Sequence, residues 1–115
     1  MTQKSSPADA VQRQYQRLGA SLAHLGYISQ GSVLDRSSLR PPRSGYQWTR
    51  KVMGKTITVA LSGQQFEAFS QAVENERKLW KTIRKMENLS RRILFENQPH
   101  TRRRKYLSNK VLGLV

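Results

Sequence analysis

From Gln64 to Gln98 the chain runs without a single proline or glycine. Apolar residues recur through it at helical spacing: Phe66, Phe69, Ala72, Val73, Leu79, Trp80, Ile83, Met86, Leu89, Ile93 and Leu94. That pattern predicts one long helix over 63–97. Ser62 stands where an N-cap belongs, and Gln65 follows three residues later as its reciprocal partner. Pro99 ends the pattern. A helix of about 35 residues spans roughly 50 Å. This is longer than a domain built from such a chain, so its end after about Arg91 is expected to project or bend. The rest of the fold has to be arranged around this rod.

The rod is two-sided. Between Arg77 and Lys105 stand eleven Lys and Arg but only two acids, Glu87 and Glu96. Arg77, Lys81, Arg84 and Arg91 step by four, three and seven, which keeps them on one side of a helix, with Lys78, Lys85 and Arg92 flanking them. Leu79, Ile83, Met86 and Ile93 fall on the opposite side, about 180° away at about 100° per residue. The acids Glu67, Glu74 and Glu76 lie in the first half of the helix and the cations in the second, as the helix macrodipole favours. A second basic run, Arg102, Arg103, Arg104 and Lys105, follows Pro99.

Upstream, Tyr46–Val52 and Thr56–Leu61 alternate polar and apolar residues around Met53-Gly54. A two-residue turn there makes a β-hairpin over 46–61 that sets Val52 opposite Lys55, Arg50 opposite Ile57, Trp48 opposite Val59 and Tyr46 opposite Leu61. Tyr46, Trp48, Val52, Ile57, Val59 and Leu61 then share one face; Gln47, Thr49, Lys51, Thr56 and Thr58 share the other. Two strands alone are not stable in water, so the apolar face is expected to pack on a helix. Tyr46 and Trp48 belong to that apolar face and are read as core rather than as base-stacking residues.

At the other end, Ser6-Pro7-Ala8-Asp9 reads as a helix start. Val11, Tyr15, Leu18, Leu22 and Leu25 make a single apolar stripe, and Gly26 supplies the stop. The stripe reads as core or a helix–helix seam, and the first helix is expected to pack antiparallel to the second, with the hairpin covering part of its apolar stripe. Residues 27–45 read as loop, with Val33 and Leu34 as a short extended piece and Arg36, Arg40 and Arg43 on a flexible basic arm. The organisation expected is therefore α+β: a disordered stretch at 1–5, a single domain at 6–97, and a basic tail at 98–115 that is either a docking helix or disordered.

Net charge is +14 and is regional: 36–55 and 77–105 are basic, while 56–76 is acidic. A surplus of that size destabilises a compact state unless a partner neutralises it. The absence of cysteine excludes disulfides, thiolate metal sites and Cys nucleophiles. No apolar run reaches the roughly 20 residues a bilayer requires, and the polar N-terminus has no signal-peptide core, so a cytoplasmic protein is expected. Apolar content is 37%, which implies a thin core.

No catalytic set emerges. His24 and His100 have no carboxylate or nucleophile partner in sequence, and the acids do not form the carboxylate pattern of a metal-dependent nuclease. Gly54-Lys55-Thr56 resembles the end of a phosphate loop but lacks the upstream glycine. No enzyme, metal, cofactor or small-molecule substrate is expected.

The block Gly45-Tyr46-Gln47-Trp48-Thr49-Arg50-Lys51-Val52-Met53-Gly54-Lys55-Thr56-Ile57-Thr58-Val59-Ala60-Leu61-Ser62 carries a W-T-R-K-x-x-G-K-T-x-T core. With Gly31-Ser32-Val33 before it and Ile93-Leu94-Phe95-Glu96 and the Arg102–Lys105 run after it, this resembles a bacterial family of small basic proteins labelled as transposase-associated. The resemblance spans about residues 30–105. Many relatives carry a small cysteine cluster before the hairpin, where this chain has Arg36-Ser37-Ser38-Leu39-Arg40-Pro41-Pro42-Arg43, so no metal is implied. The resemblance implies a setting near mobile DNA and no mechanism.

The sequence therefore predicts a non-catalytic nucleic-acid-binding protein, DNA favoured over RNA. Phosphate contacts are expected from Arg77, Lys78, Lys81, Arg84, Lys85, Arg91, Arg92, Arg102, Arg103, Arg104 and Lys105. A second patch would comprise Arg40, Arg43, Arg50, Lys51 and Lys55, with the hairpin as a ribbon for the major groove or merely an exposed face. The alternatives are a helical interaction module, as a homodimer or docked on a transposase, and an RNA-binding protein.

Overall fold

A computed structural model describes residues 7–97. The expectations for 1–5, for Ser6, for His100 and for the tail with Arg102, Arg103, Arg104 and Lys105 lie outside the described residues. The architecture is α+β: helix α1 (Pro7–Ser21), strands β1 (Ser32–Asp35), β2 (Tyr46–Val52) and β3 (Lys55–Leu61), and helix α2 (Gly63–Asn97). No helix of the described residues is long and apolar enough to cross a membrane. By packing, the chain groups into two compact units, 25–79 and 7–24 with 80–97, so α2 contributes to both.

In the first unit the hairpin forms in the register its alternation predicts, from Tyr46 opposite Leu61 to Val52 opposite Lys55. Met53 (φ 50°) and Gly54 (φ 81°) both take positive φ, as a type I′ turn demands. β1 adds a third antiparallel strand, order β1-β2-β3, pairing Val33 with Trp48 and Asp35 with Tyr46. Gly31 makes this third strand feasible. It sits at φ 100°, and a Cβ there would run into the Thr49 carbonyl oxygen and lie 2.8 Å from Trp48 Nε1. The indole N–H donates instead to the Gln30 carbonyl at 3.0 Å.

The sheet packs on the first part of α2 through rings. Tyr46 stacks on Phe66 at 4.3 Å between centroids, and Trp48 meets Phe69 at 5.7 Å. Only the base of the hairpin is covered: Leu61 is buried, whereas Ile57 and Val59 are 40% and 44% exposed. The capping box is formed, with Ser62 N donating to Gln65 Oε1 at 2.9 Å and Gln65 N donating to Ser62 Oγ at 3.1 Å. The start of α2 is thus written into four residues.

The stretch 36–45 is not a flexible arm. Asp35 accepts from Ser37 N at 3.0 Å and caps a single 3-10 turn, Arg36–Ser38. The Arg36 main chain then closes the loop. Its N–H donates to Gly45 O at 2.9 Å, and its carbonyl accepts from Leu39 N and Arg43 N. Its guanidinium donates to Gln47 Oε1 at 3.2 Å. Arg36 thus pairs with three main-chain groups of a segment whose prolines and glycine read as irregular.

In the second unit α1 packs against the later part of α2 at a small residue. A Cβ on Gly19 would lie 3.4 Å from Met86 Cε. Tyr15 and Leu22 face Ile83, Met86 and Ser90 across a shallow cleft. Leu89 is the one apolar side chain of this unit's described residues that is buried. The thin core expected from composition is what forms.

Candidate nucleic-acid interface

In the unit built from α1 and the later part of α2, the packing of Ile83, Met86 and Leu89 decides which way the cations point. Lys81, Arg84 and Lys85 are exposed. At about 100° per residue they span an arc of about 100°. None of the three is in an ion pair among the described residues. Arg91 and Arg92 are half-buried. Arg91 is drawn along its own helix, hydrogen-bonded to Asn88 Oδ1 and 4.0 Å from the Glu87 carboxylate. The segment's first offer to a polyanion is therefore Lys81, Arg84 and Lys85, with Arg91 and Arg92 partly committed to the fold. In all, this unit carries seven Lys and Arg against three acids among its described residues.

The other unit holds the remaining predicted cations in three places. Arg77 and Lys78 are exposed on α2, and Arg77 lies 3.7 Å from Glu74. Both partners of that pair face water, so it contributes little and would yield readily to a phosphate. Arg40 and Arg43 are exposed on the closed loop after the 3-10 turn. The hairpin separates its own three cations. Arg50 pairs with Ile57 and Lys55 with Val52, so both belong to the Trp48 face, while Lys51 shares the opposite face with Thr49, Thr56 and Thr58. Arg50 lies over the Trp48 ring, 5.9 Å from its centroid. A ribbon whose polar face carries Arg50, Lys51 and Lys55 together is thus not what the pleat produces.

Sequence reasoning placed Trp80 in the apolar pattern of the long helix. It is 49% exposed, as Leu94 is at 54%. The signal was on the helical wheel: Trp80 sits about 40° from Arg84, at the border of the cationic arc. Trp48 and Tyr46 are half-buried against phenylalanines, as their face predicts.

Among the described residues, no three His, Cys, Asp or Glu side chains are grouped to hold a metal ion. His24 is exposed at the end of the 3-10 turn Leu22–His24. The Asp35 carboxyl lies below its ordinary value. Hydrogen bonds from Ser37, its backbone N–H foremost, lower it. That is the mark of a cap, not of a general acid. Compared with known protein families, curated proteins and solved structures, the chain finds no match.

Proposed function

We propose that this chain is a non-catalytic nucleic-acid-binding protein that holds DNA by its phosphate backbone, in a setting near mobile DNA. The observation that carries this reading is the exposed triad Lys81, Arg84 and Lys85 on a helix whose other side is packed. Folding fixes the backbone beneath these cations, so a polyanion meets charge whose main-chain order is already established. The exposed cations Arg77, Lys78, Arg40, Arg43, Lys51 and Lys55 supply further phosphate contacts, as do Arg102, Arg103, Arg104 and Lys105 in sequence beyond α2. Backbone contacts of this kind position a nucleic acid and read no sequence.

The test is a triple charge reversal, Lys81→Glu with Arg84→Glu and Lys85→Glu. DNA affinity should fall at least roughly tenfold near 0.1 M salt, with the far-ultraviolet circular dichroism unchanged because all three side chains are exposed. Unchanged affinity with an intact fold would count against the reading. Competition between duplex DNA, single strands and structured RNA ranks the nucleic acids.

A protein-interaction module is the second reading, and one observation favours it. β3 is an edge strand, and Ile57 and Val59 on it are exposed. Sedimentation without nucleic acid separates the two: a self-associated species supports interaction, a monomer supports the nucleic-acid reading.

A further inference from the structure

We infer that two copies of this chain, bound on one nucleic acid, pair through the outer edge of β3, so that binding is cooperative. The inference rests on the phosphate-binding reading above and adds the contact between neighbouring chains. β3 is paired on one side only: the strand order is β1-β2-β3, and β3 registers against β2 without a bulge. Across the Met53-Gly54 turn Val52 and Lys55 form a hydrogen-bonded pair, and such pairs recur at every second position of the ladder. Ile57, Val59 and Leu61 therefore direct their main-chain groups to β2. Thr56, Thr58 and Ala60 turn theirs outward, where no strand of the described residues meets them. Thr56 to Ala60 are all exposed. Folded proteins guard such edges with prolines, bulges, charges or short strands. β1, the opposite edge, is short, with four residues between Gly31 and a 3-10 turn. β3 has none of these guards from Thr56 to Leu61.

The edge fits a second copy of itself. Thr56-Ile57-Thr58-Val59-Ala60 has nearly the same character read in either direction from Thr58. Antiparallel pairing about a two-fold axis at Thr58 sets Thr58 opposite Thr58, Thr56 opposite Ala60, Ile57 opposite Val59 and Lys55 opposite Leu61. The outward groups of Thr56, Thr58 and Ala60 then satisfy each other in about six hydrogen bonds. Ile57 and Val59, 40% and 44% exposed, meet their counterparts across the seam as β-branched pairs. The two Lys55 positions stay about 20 Å apart along the strands, beyond the Debye length of about 10 Å in 0.1 M salt.

Without a polyanion this pairing is weak. One strand edge is a small contact beside the roughly 1,200 Å² at the lower end of stable interfaces, and each chain carries +14. A nucleic acid removes both obstacles. Its phosphates neutralise the charge, and adjacent sites raise the effective concentration of one copy beside the next. The compact unit that holds the sheet, 25–79, has its own exposed cations in Arg40, Arg43, Lys51, Lys55, Arg77 and Lys78. Free in solution the chain stays monomeric; on a polyanion it pairs.

The experiment titrates two duplex DNAs, one short enough to seat a single chain and one long enough to seat several. The proteins are the unaltered chain, Thr58→Lys, Thr58→Glu, and an equimolar mixture of the two variants. On the longer duplex the unaltered chain should bind its second copy at least roughly tenfold more tightly than its first. Like charges directly opposite destabilise a strand pair, so each variant alone should lose that cooperativity with its circular dichroism unchanged. Thr58→Lys should still bind the short duplex at least as tightly as the unaltered chain. The mixture sets lysine against glutamate and should restore cooperativity. The register is read directly by cross-linking, because the chain has no cysteine. Thr58→Cys places the paired Cα atoms about 5.5 Å apart, within reach of a disulfide, and should give a linked dimer on DNA. Thr56→Cys places them about 14 Å apart and should not. Non-cooperative binding by the unaltered chain, cooperativity that survives both charged variants, or equal cross-linking at both positions overturns the pairing and leaves phosphate binding standing. If neither duplex is bound, phosphate binding fails, and the inference fails with it.

Discussion

Asn75 is buried on α2, and both ends of its amide are engaged. Its Nδ2 donates to the Tyr27 carbonyl at 2.8 Å, and its Oδ1 accepts from Gln71 Nε2 at 2.9 Å. Beside it, Ser29 N donates to Ala72 O at 3.1 Å, so the 27–29 segment is tied to the helix by its main chain. Asn75→Leu keeps the branched shape but strands a carbonyl, and should cost about 1–3 kcal/mol in urea unfolding. Nothing in the sequence marks Asn75, because its partner is a backbone oxygen 48 residues away. Asp35, the last residue of the edge strand β1, likewise makes its hydrogen bond to a main-chain group. Its carboxyl lies below the ordinary aspartate value because Ser37 donates to the charged form. A lowered folded value means the cap is complete above the ordinary aspartate range and is lost as pH falls through the lowered one. An NMR titration should show its midpoint below the ordinary aspartate value, and Ser37→Pro, which removes the donating N–H, should raise it.

The elements divide by how much of their signal is local. α2 and the hairpin were legible because their instructions lie within a few residues: Ser62 and Gln65 cap each other, and Met53-Gly54 sets the register. β1 was legible only as an extended piece. Its pairing depends on Gly31 lying close under Trp48, a non-local approach that no alternation within four residues announces. The 36–45 loop was misread as mobile because its order comes from the Arg36 main chain, the Asp35 cap and the Arg36–Gln47 contact, none of which a periodic pattern announces. The cationic stripe was legible by angle, yet its division into exposed triad and half-buried Arg91 and Arg92 depended on packing. At this scale the hairpin makes its own prediction. Met53 is 98% exposed and held at φ 50°, where a Cβ crowds the following carbonyl oxygen and Asn, with its short polar side chain, sits more readily. Met53→Asn supplies the Asn-Gly pair preferred by a type I′ turn. It should raise stability by about 0.5–1 kcal/mol in thermal unfolding, since no packing is lost.

For the molecule as a whole, the decisive quantity is charge. A net +14 on 115 residues carries a self-repulsion that a small core does little to offset. Among the described residues four apolar side chains are buried: Leu61, Ala72, Val73 and Leu89. A polyanion that binds only the folded chain would relieve the repulsion and stabilise the fold by linkage. The central claim is that cations on a packed helix neutralise phosphates, and its signature is counterion release. The most direct test is the DNA dissociation constant measured from about 0.05 to 0.4 M salt. With about six phosphates neutralised, the log–log slope of the association constant should be near −4 on a single strand and near −5 on a duplex. A slope near zero, with binding retained, would contradict the account.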